Sequence, residues 1–239
     1  MKYTLRDEKA SRSEKALLVL SGFFIASLVL TNLIAGRFFT LEIPFLGISW
    51  ALSSGIIAYP ITFLVTDVIS EVFGEKRAKT LVLTGFLVSV FTVLIILLSI
   101  KLPIWENSPV DGQSYDTVFG LAPGIVFGSM IAYLSAQYID VQLFEFWRRL
   151  TKGKHLWLRN NGSTILSQLI DTSLVVVIAL VIYPKFTGTS VAISSKVALE
   201  IIIGQYIFKA CIAIIDTPLI YITVNRLNRY LNKKNESIS

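Results

Sequence analysis

Six long apolar segments divide this chain of 239 residues, and each is close to the length that crosses a lipid bilayer. A helix needs about 20 apolar residues to span the hydrocarbon layer. An α-helix also satisfies its own backbone hydrogen bonds there. The segments cover residues 16–39, 53–73, 80–102, 118–147, 164–183 and 197–224. They predict an all-α polytopic membrane protein with six transmembrane helices in a single membrane domain, 1–239. We expect the stretch 40–52 to form a loop.

Four aspartates lie inside these apolar segments: Asp67, Asp140, Asp171 and Asp216. Carboxylates are expensive in hydrocarbon, so those inside membrane segments usually face a protein interior, a cavity or a partner. Each aspartate lies eight or ten residues from the polar residues that end its segment on the predicted cytoplasmic side. That separation is about 12–15 Å along a helix, close to half the hydrocarbon thickness. We expect one layer of aspartates near the midplane, where transporters commonly bind substrates or coupling ions. The alternative is that each aspartate only satisfies a neighbouring backbone.

Polar residues accompany the aspartates of the second and fifth segments. Asp67 and Glu71 are four residues apart and share one helix face. Thr164, Gln168 and Asp171 follow helical spacing and form a continuous polar stripe. Such a stripe is difficult to explain as a surface that faces lipid.

The fourth and sixth segments add further polar residues. Gln137 precedes Asp140 by three residues, and the string 137–140 (Gln-Tyr-Ile-Asp) is similar to 168–171 (Gln-Leu-Ile-Asp). Lys209 lies in the last segment, where we expect an ion pair with an aspartate of another segment or a role in substrate or proton coupling.

Small residues recur every four positions in the fourth segment, at Gly120, Gly124, Gly128, Ala132 and Ala136. This spacing allows helices to approach closely. Packing within the monomer is the first interpretation, and a homodimer seam is the alternative.

Basic residues are distributed unevenly between the two faces of the membrane. If both termini share one side, 17 of the 22 Lys and Arg residues fall on that side. Cytoplasmic loops carry such an excess, so the pattern predicts cytoplasmic termini in the cell inner membrane. The net charge of +6 is then a signal of topology and of contact with anionic membrane lipid, and no nucleic-acid partner is expected.

The sequence offers little for enzyme chemistry. It has one histidine, in a predicted cytoplasmic loop, and no phosphate-binding glycine loop of the Walker type. We therefore expect no cofactor, no metal site and no enzymatic activity.

Several short motifs are shared with a known family: Pro60, Phe63-Leu64, Thr66-Asp67 and Gly74, then Gln137 with Asp140, then Ser163-Thr164, Asp171-Thr172, Tyr206 and Phe208-Lys209. Together they resemble the queuosine precursor transporter family of bacterial inner-membrane proteins, over about residues 16–226. The resemblance implies a six-helix transporter of the vitamin-uptake type. Its fold would be related to the substrate-binding components of energy-coupling-factor systems. Its small-molecule substrates would be 7-deazaguanines such as preQ0, preQ1 or queuine.

A 7-deazaguanine suits these polar residues chemically. Its pyrimidinone edge presents two adjacent N–H donors beside a carbonyl oxygen. A carboxylate can accept both donors, and an amide can serve the carbonyl. We expect Asp67 and Asp171 to be the principal carboxylates. The accessory candidates are Glu71, Gln137, Asp140, Gln168, Thr164, Lys209 and Asn32, with Tyr59 and Phe63 as aromatic walls for the flat ring.

The predicted function is uptake of a queuosine precursor through a midplane site by alternating access. Two alternatives stay open. In the first alternative, the chain is a substrate-binding subunit of an ATPase-driven vitamin transporter. In the second, it is a membrane scaffold that transports nothing. The sequence leaves the energy source undetermined.

Overall fold

The computed structural model describes residues 5–43, 48–152, 156–188 and 193–232, and helices dominate it. The helices are α1 Leu5–Ile34, α2 Tyr59–Phe73, α3 Glu75–Ile100, α4 Gly112–Phe119, α5 Ala122–Leu150, α6 Leu156–Val176, α7 Tyr183–Thr187 and α8 Ser195–Asn232. A 3-10 helix, Ser54–Ile57, precedes α2, and a π-helix, Val177–Ile182, joins α6 to α7. The chain is therefore a mainly helical polytopic membrane protein, as predicted.

Five stretches of the described residues are long and apolar enough to cross a membrane: Ala10–Ile34, Ser54–Phe73, Lys76–Ile100, Gly112–Ala136 and Ile165–Thr187. They correspond to the first five segments predicted from sequence. The sixth predicted segment lies within α8, a helix of 38 residues, and its passage through the membrane stays a prediction.

The stretch 40–52 was expected to be a loop, and that expectation is wrong. Strand β1 (Phe38–Ile43) pairs antiparallel with β2 (Ile48–Ser53), and residues 44–47 lie outside the described part of the chain. Leu41 lies opposite Trp50, and Phe39 lies opposite Leu52. Large apolar side chains that alternate along two short strands favour such a hairpin. Leu52 is fully buried, and a Cβ on Gly204 of α8 would lie 3.1 Å from the Trp50 Cβ. Because Gly204 has no side chain, the hairpin can approach α8 closely.

The fourth predicted segment is interrupted near its start. Helix α4 ends before Gly120, and α5 begins at Ala122 with a proline in its first turn. Proline is tolerated there because the first N–H groups of a helix have no intrahelical acceptor. Helix α5 then runs for 29 residues, longer than the hydrocarbon thickness requires.

The chain separates into two compact units. Unit 1 comprises Met1–Thr31, Ile57–Ser89 and Ile212–Ser239. Its apolar core joins α1, α2 and α3 through Phe24, Val65, Ile69, Ala78 and Leu81. A Cβ on Gly85 would lie only 2.7 Å from the Phe24 ring, so this glycine permits α1 and α3 to pack closely.

Unit 2 comprises Asn32–Ile56 and Val90–Cys211. Its core brings together α5, α6, the π-helix and α8 through Leu121, Ile125, Val176, Ala179, Leu180, Ala198 and Ile201. The small residues of α5 contribute to this packing. A Cβ on Gly124 would lie 2.4 Å from the Tyr183 ring, and one on Gly128 would lie 3.3 Å from the Ile178 Cβ. Close packing within the monomer is thereby confirmed for these two glycines, while the homodimer seam stays a prediction.

Candidate functional site

An ion pair between α6 and α8 is the main polar feature of unit 2. Lys209 of α8 donates a hydrogen bond from Nζ to Oδ2 of Asp171 on α6, over 3.0 Å. The side chains are only 10% and 13% exposed. The prediction that Lys209 pairs with an aspartate of another segment is confirmed. Burial strengthens the attraction between the charges, because little water screens them.

Helix α5 runs antiparallel to the continuous stretch formed by α6, the π-helix and α7, and three close approaches fix the register between them. At one end Gly124 and Gly128 face Tyr183 and Ile178, and at the other a Cβ on Gly162 would lie 3.2 Å from Nε1 of Trp147. These contacts define which residues of the two helices share a level.

The register brings the two similar strings to the same level. Counting from Trp147 and Gly162, Gln137 is ten residues away and Asp171 is nine. At about 1.5 Å per residue, the two positions differ by less than about 2 Å along the helix axes. Asp140 is seven residues from Trp147, and Gln168 is six residues from Gly162, so these two positions also lie at the same level. Each glutamine position therefore lies level with an aspartate position of the other helix. The side chains of Gln137 and Asp140 lie outside the described part of the structure, as does that of Thr164.

Other polar groups of unit 2 are buried near these positions in sequence. Ser167 is 5% exposed, and Gln168 is half-buried. Thr172 is 1% exposed, and its hydroxyl has no hydrogen-bond partner among the residues that the structure describes. Asn32, at the end of α1, is 7% exposed. Of the predicted polar stripe of the fifth segment, Asp171 is buried and Gln168 is half-buried, while the side chain of Thr164 lies outside the described part of the structure.

The remaining candidates belong to unit 1. Asp67 and Glu71 are both exposed on α2, and the charge of Asp216 on α8 acts repulsively on Asp67. Tyr59 and Phe63 pack edge to face, with ring centroids 4.6 Å apart. Their contact gives α2 an aromatic surface.

Two hydroxyl groups of α2 are committed to the helix backbone. Thr62 donates to the carbonyl of Tyr59 over 2.6 Å, and Thr66 donates to that of Thr62 over 3.0 Å. This back-bonding is the ordinary behaviour of threonine within helices.

The eleven candidate site residues are divided between the two units. Unit 1 contains Tyr59, Phe63, Asp67 and Glu71, and unit 2 contains the others. The single midplane layer of four aspartates stays a prediction.

Sequence reasoning missed a buried amide residue of α8. Gln205 lies one helical turn before Lys209 on α8 and is 9% exposed. The signal was its spacing of four residues from Lys209, which places both on one face of the helix.

Metal chemistry finds no support among the described residues, where no group of three His, Cys, Asp or Glu side chains is placed to hold an ion. The polar site of unit 2 consists of carboxylate, ammonium and amide groups. Groups of these kinds can donate hydrogen bonds to, and accept them from, an uncharged polar molecule.

Comparison with known proteins identifies the family. Residues 53–223 match the family described as "Putative vitamin uptake transporter". The chain is 31% identical over 169 residues to the "Probable queuosine precursor transporter" of Bacillus subtilis (strain 168), covering 70% of this chain and 69% of that protein. It is 24% identical over 223 residues to the "Queuosine precursor transporter" of Escherichia coli (strain K12), covering 93% and 92%. No solved structure matches the chain. The resemblance to queuosine precursor transporters is confirmed, and the chain belongs to this family of vitamin uptake transporters.

Proposed function

We propose that this chain takes up queuosine precursors across the cell inner membrane, through a substrate site in unit 2 built around Asp171 and Lys209. The buried ion pair between α6 and α8 is the observation that carries the proposal. Two relatives, whose matches cover 70% and 93% of this chain, are named as transporters of queuosine precursors, which supports this substrate class.

A buried ion pair in a membrane protein needs a reason beyond stability. Removing two charges from water costs several kcal/mol for each ion, and the attraction between them often only offsets that cost. Apolar residues would hold α6 and α8 together at least as well. A pair that stabilises so inefficiently points to a use for its polar groups, and substrate binding is such a use.

The pair is complementary to the pyrimidinone edge of a 7-deazaguanine. The Asp171 carboxylate can accept hydrogen bonds from the ring N1–H and the 2-amino group, while the Lys209 ammonium donates to the neighbouring carbonyl oxygen. The two charged atoms lie 3.0 Å apart, so one edge of a planar ring can meet both. This arrangement revises the expected roles, because Lys209 replaces an amide as the partner of the carbonyl.

Amide groups complete the proposed site. Gln168 lies within one turn of Asp171 on α6, and the α5 position of Gln137 is level with Asp171. Asn32 is buried in the same unit. Amides donate and accept hydrogen bonds without adding charge, so they can bind the polar edges of an uncharged ring at modest desolvation cost.

The ion pair also explains how the empty site can persist. When the substrate leaves, Lys209 and Asp171 satisfy each other, and no unpaired charge stays buried. Alternating access needs such a state, because a transporter returns without its substrate. Both termini lie in the cytoplasm in this proposal, in agreement with the distribution of basic residues.

A cellular assay tests the proposal. Cells that cannot make queuosine are supplied with preQ1, and queuosine in their transfer RNA is measured. The wild-type chain should restore queuosine, and Asp171→Ala should not. Asp116→Ala, which removes an exposed carboxylate of α4, is the matched control and should behave as wild type. Full restoration by a correctly inserted Asp171→Ala variant would overturn the site.

Two further measurements address the alternatives. Uptake by the purified chain alone in liposomes would exclude a need for an ATPase module. Absence of saturable ligand binding would instead favour a membrane scaffold. Asp67→Ala, assayed in the same cells, shows whether the exposed carboxylate of unit 1 contributes to uptake.

A further inference from the structure

Gln205 is a buried amide beside the proposed substrate site. It lies one turn before Lys209 on the same face of α8 and is 9% exposed. Its neighbour Gly204 is covered by the β-hairpin, where a Cβ would lie 3.3 Å from the Trp50 Cγ. Gln205 therefore lies where α8 is enclosed by protein within unit 2.

No hydrogen bond joins the Gln205 side chain to another group among the residues that the structure describes. The amide is therefore available to bind a ligand, and Asn32 of the same unit is a second buried amide residue, 7% exposed. Ala35, one turn after Asn32, packs on the apolar cluster that contains Ile201, one turn before Gln205.

We propose that Gln205 is a specificity-determining residue that binds a second edge of the substrate ring, an inference that rests on the proposed function. Gln205 is four residues from Lys209, which is about 6 Å along the helix. It can therefore contact the ring away from the atoms bound by Lys209 and Asp171.

The chemistry of an amide selects the edge. A glutamine side chain presents a donor and an acceptor side by side, and it pairs with a heterocycle edge that offers an adjacent acceptor and donor. In a 7-deazaguanine, N3 accepts and the neighbouring N9–H donates. Gln205 donates to N3 from its amide nitrogen and accepts from N9–H at its amide oxygen. A substituent on N9 removes the donor, so the site selects free bases over nucleosides.

Binding measurements on the purified full chain test this assignment. The ligands are preQ1 and its 9-methyl derivative, and the variants are wild type, Gln205→Leu and Gln142→Leu. The last changes an exposed glutamine of α5 and is the matched control. Wild type and Gln142→Leu should bind preQ1 about tenfold more tightly than the 9-methyl compound, since one hydrogen bond to a buried amide is lost. Gln205→Leu should bind preQ1 about 100-fold more weakly than wild type, since both hydrogen bonds of the amide are lost, and should bind both ligands equally. Gln205→Met, which keeps an unbranched side chain, should give the same pattern.

The outcomes separate this inference from the proposed function. Discrimination against the 9-methyl compound that persists in Gln205→Leu and Gln205→Met overturns the role of Gln205 alone. Unchanged affinity of these variants for preQ1 does the same. A wild-type chain that binds no deazaguanine overturns the proposed function and this inference together.

Discussion

Removing the positive charge of Lys209 distinguishes the stabilising role of its ion pair from its role in uptake. In Lys209→Met the Asp171 carboxylate stays buried without its cation, since its side chain is only 13% exposed. Breaking a buried pair in this way costs about 3–5 kcal/mol. For a chain of this size, that loss corresponds to a fall in melting temperature of roughly 6–20 °C.

The double variant Asp171→Leu/Lys209→Met should recover most of this stability. Replacing both charges of a buried pair by apolar groups is often neutral or stabilising, so we expect a melting temperature near that of wild type. Uptake should nevertheless stay absent, because the groups that bind the ring are gone. Recovery of stability without recovery of uptake is the signature of a functional pair.

The assay combines thermal unfolding in detergent, followed by the fluorescence of the four tryptophans, with uptake of labelled preQ1 into cells. Lys196→Met, which changes an exposed lysine in the first turn of α8, is the control and should shift stability by less than about 0.5 kcal/mol. A Lys209→Met variant as stable as wild type would refute the energetic reasoning. A double variant that still transports preQ1 would refute the role of the pair in binding.

Two further predictions follow from local geometry. Gly124→Ala should destabilise the protein by about 1–3 kcal/mol, because the new Cβ would lie 2.4 Å from the Tyr183 ring. Gly22→Ala, whose Cβ would meet no atom within 4 Å, should be neutral or stabilising, and equal melting temperatures for the two variants would contradict this packing. Hydrogen bonds from the Ser114 hydroxyl and backbone N–H lower the pKa of Asp111, the N-terminal cap of α4, below its ordinary value of 3.8. Because the folded pKa is the lower one, the cap stabilises α4 above the unfolded pKa and loses this effect as the pH falls through the folded pKa. Amide hydrogen exchange in α4 should therefore become faster on acidification in wild type, relative to an unstructured peptide control. In Asp111→Asn that additional acceleration should be absent.

The long apolar segments predicted most of the fold, because a backbone that crosses a bilayer must satisfy its own hydrogen bonds, as a helix does. Five of the six predicted segments correspond to stretches that can cross a membrane, with boundaries that differ by up to 11 residues from those of the structure. The hairpin was missed because its strands are six residues each and lie between two strong helical signals. Short apolar runs of this kind do not reveal their secondary structure from periodicity alone.

Part of the candidate site proposed from the structure was already predicted from the sequence. Helical spacing identified Asp171 and Gln168, and the expense of a charge in hydrocarbon identified Lys209. The sequence could not tell which aspartate Lys209 contacts, because that depends on how α6 and α8 pack together. Gln205 was missed because an isolated glutamine in an apolar segment is common, and only its burial one turn from the paired Lys209 distinguishes it.

Equilibrium binding of preQ1 to the purified chain, measured by isothermal titration calorimetry, tests the central claim most directly. Wild type and Asp116→Ala should bind at one saturable site. Asp171→Ala should bind at least about 100-fold more weakly, since two hydrogen bonds to a carboxylate are lost. Equal affinity of preQ1 for all three proteins would contradict the assignment of the substrate site to Asp171 and Lys209.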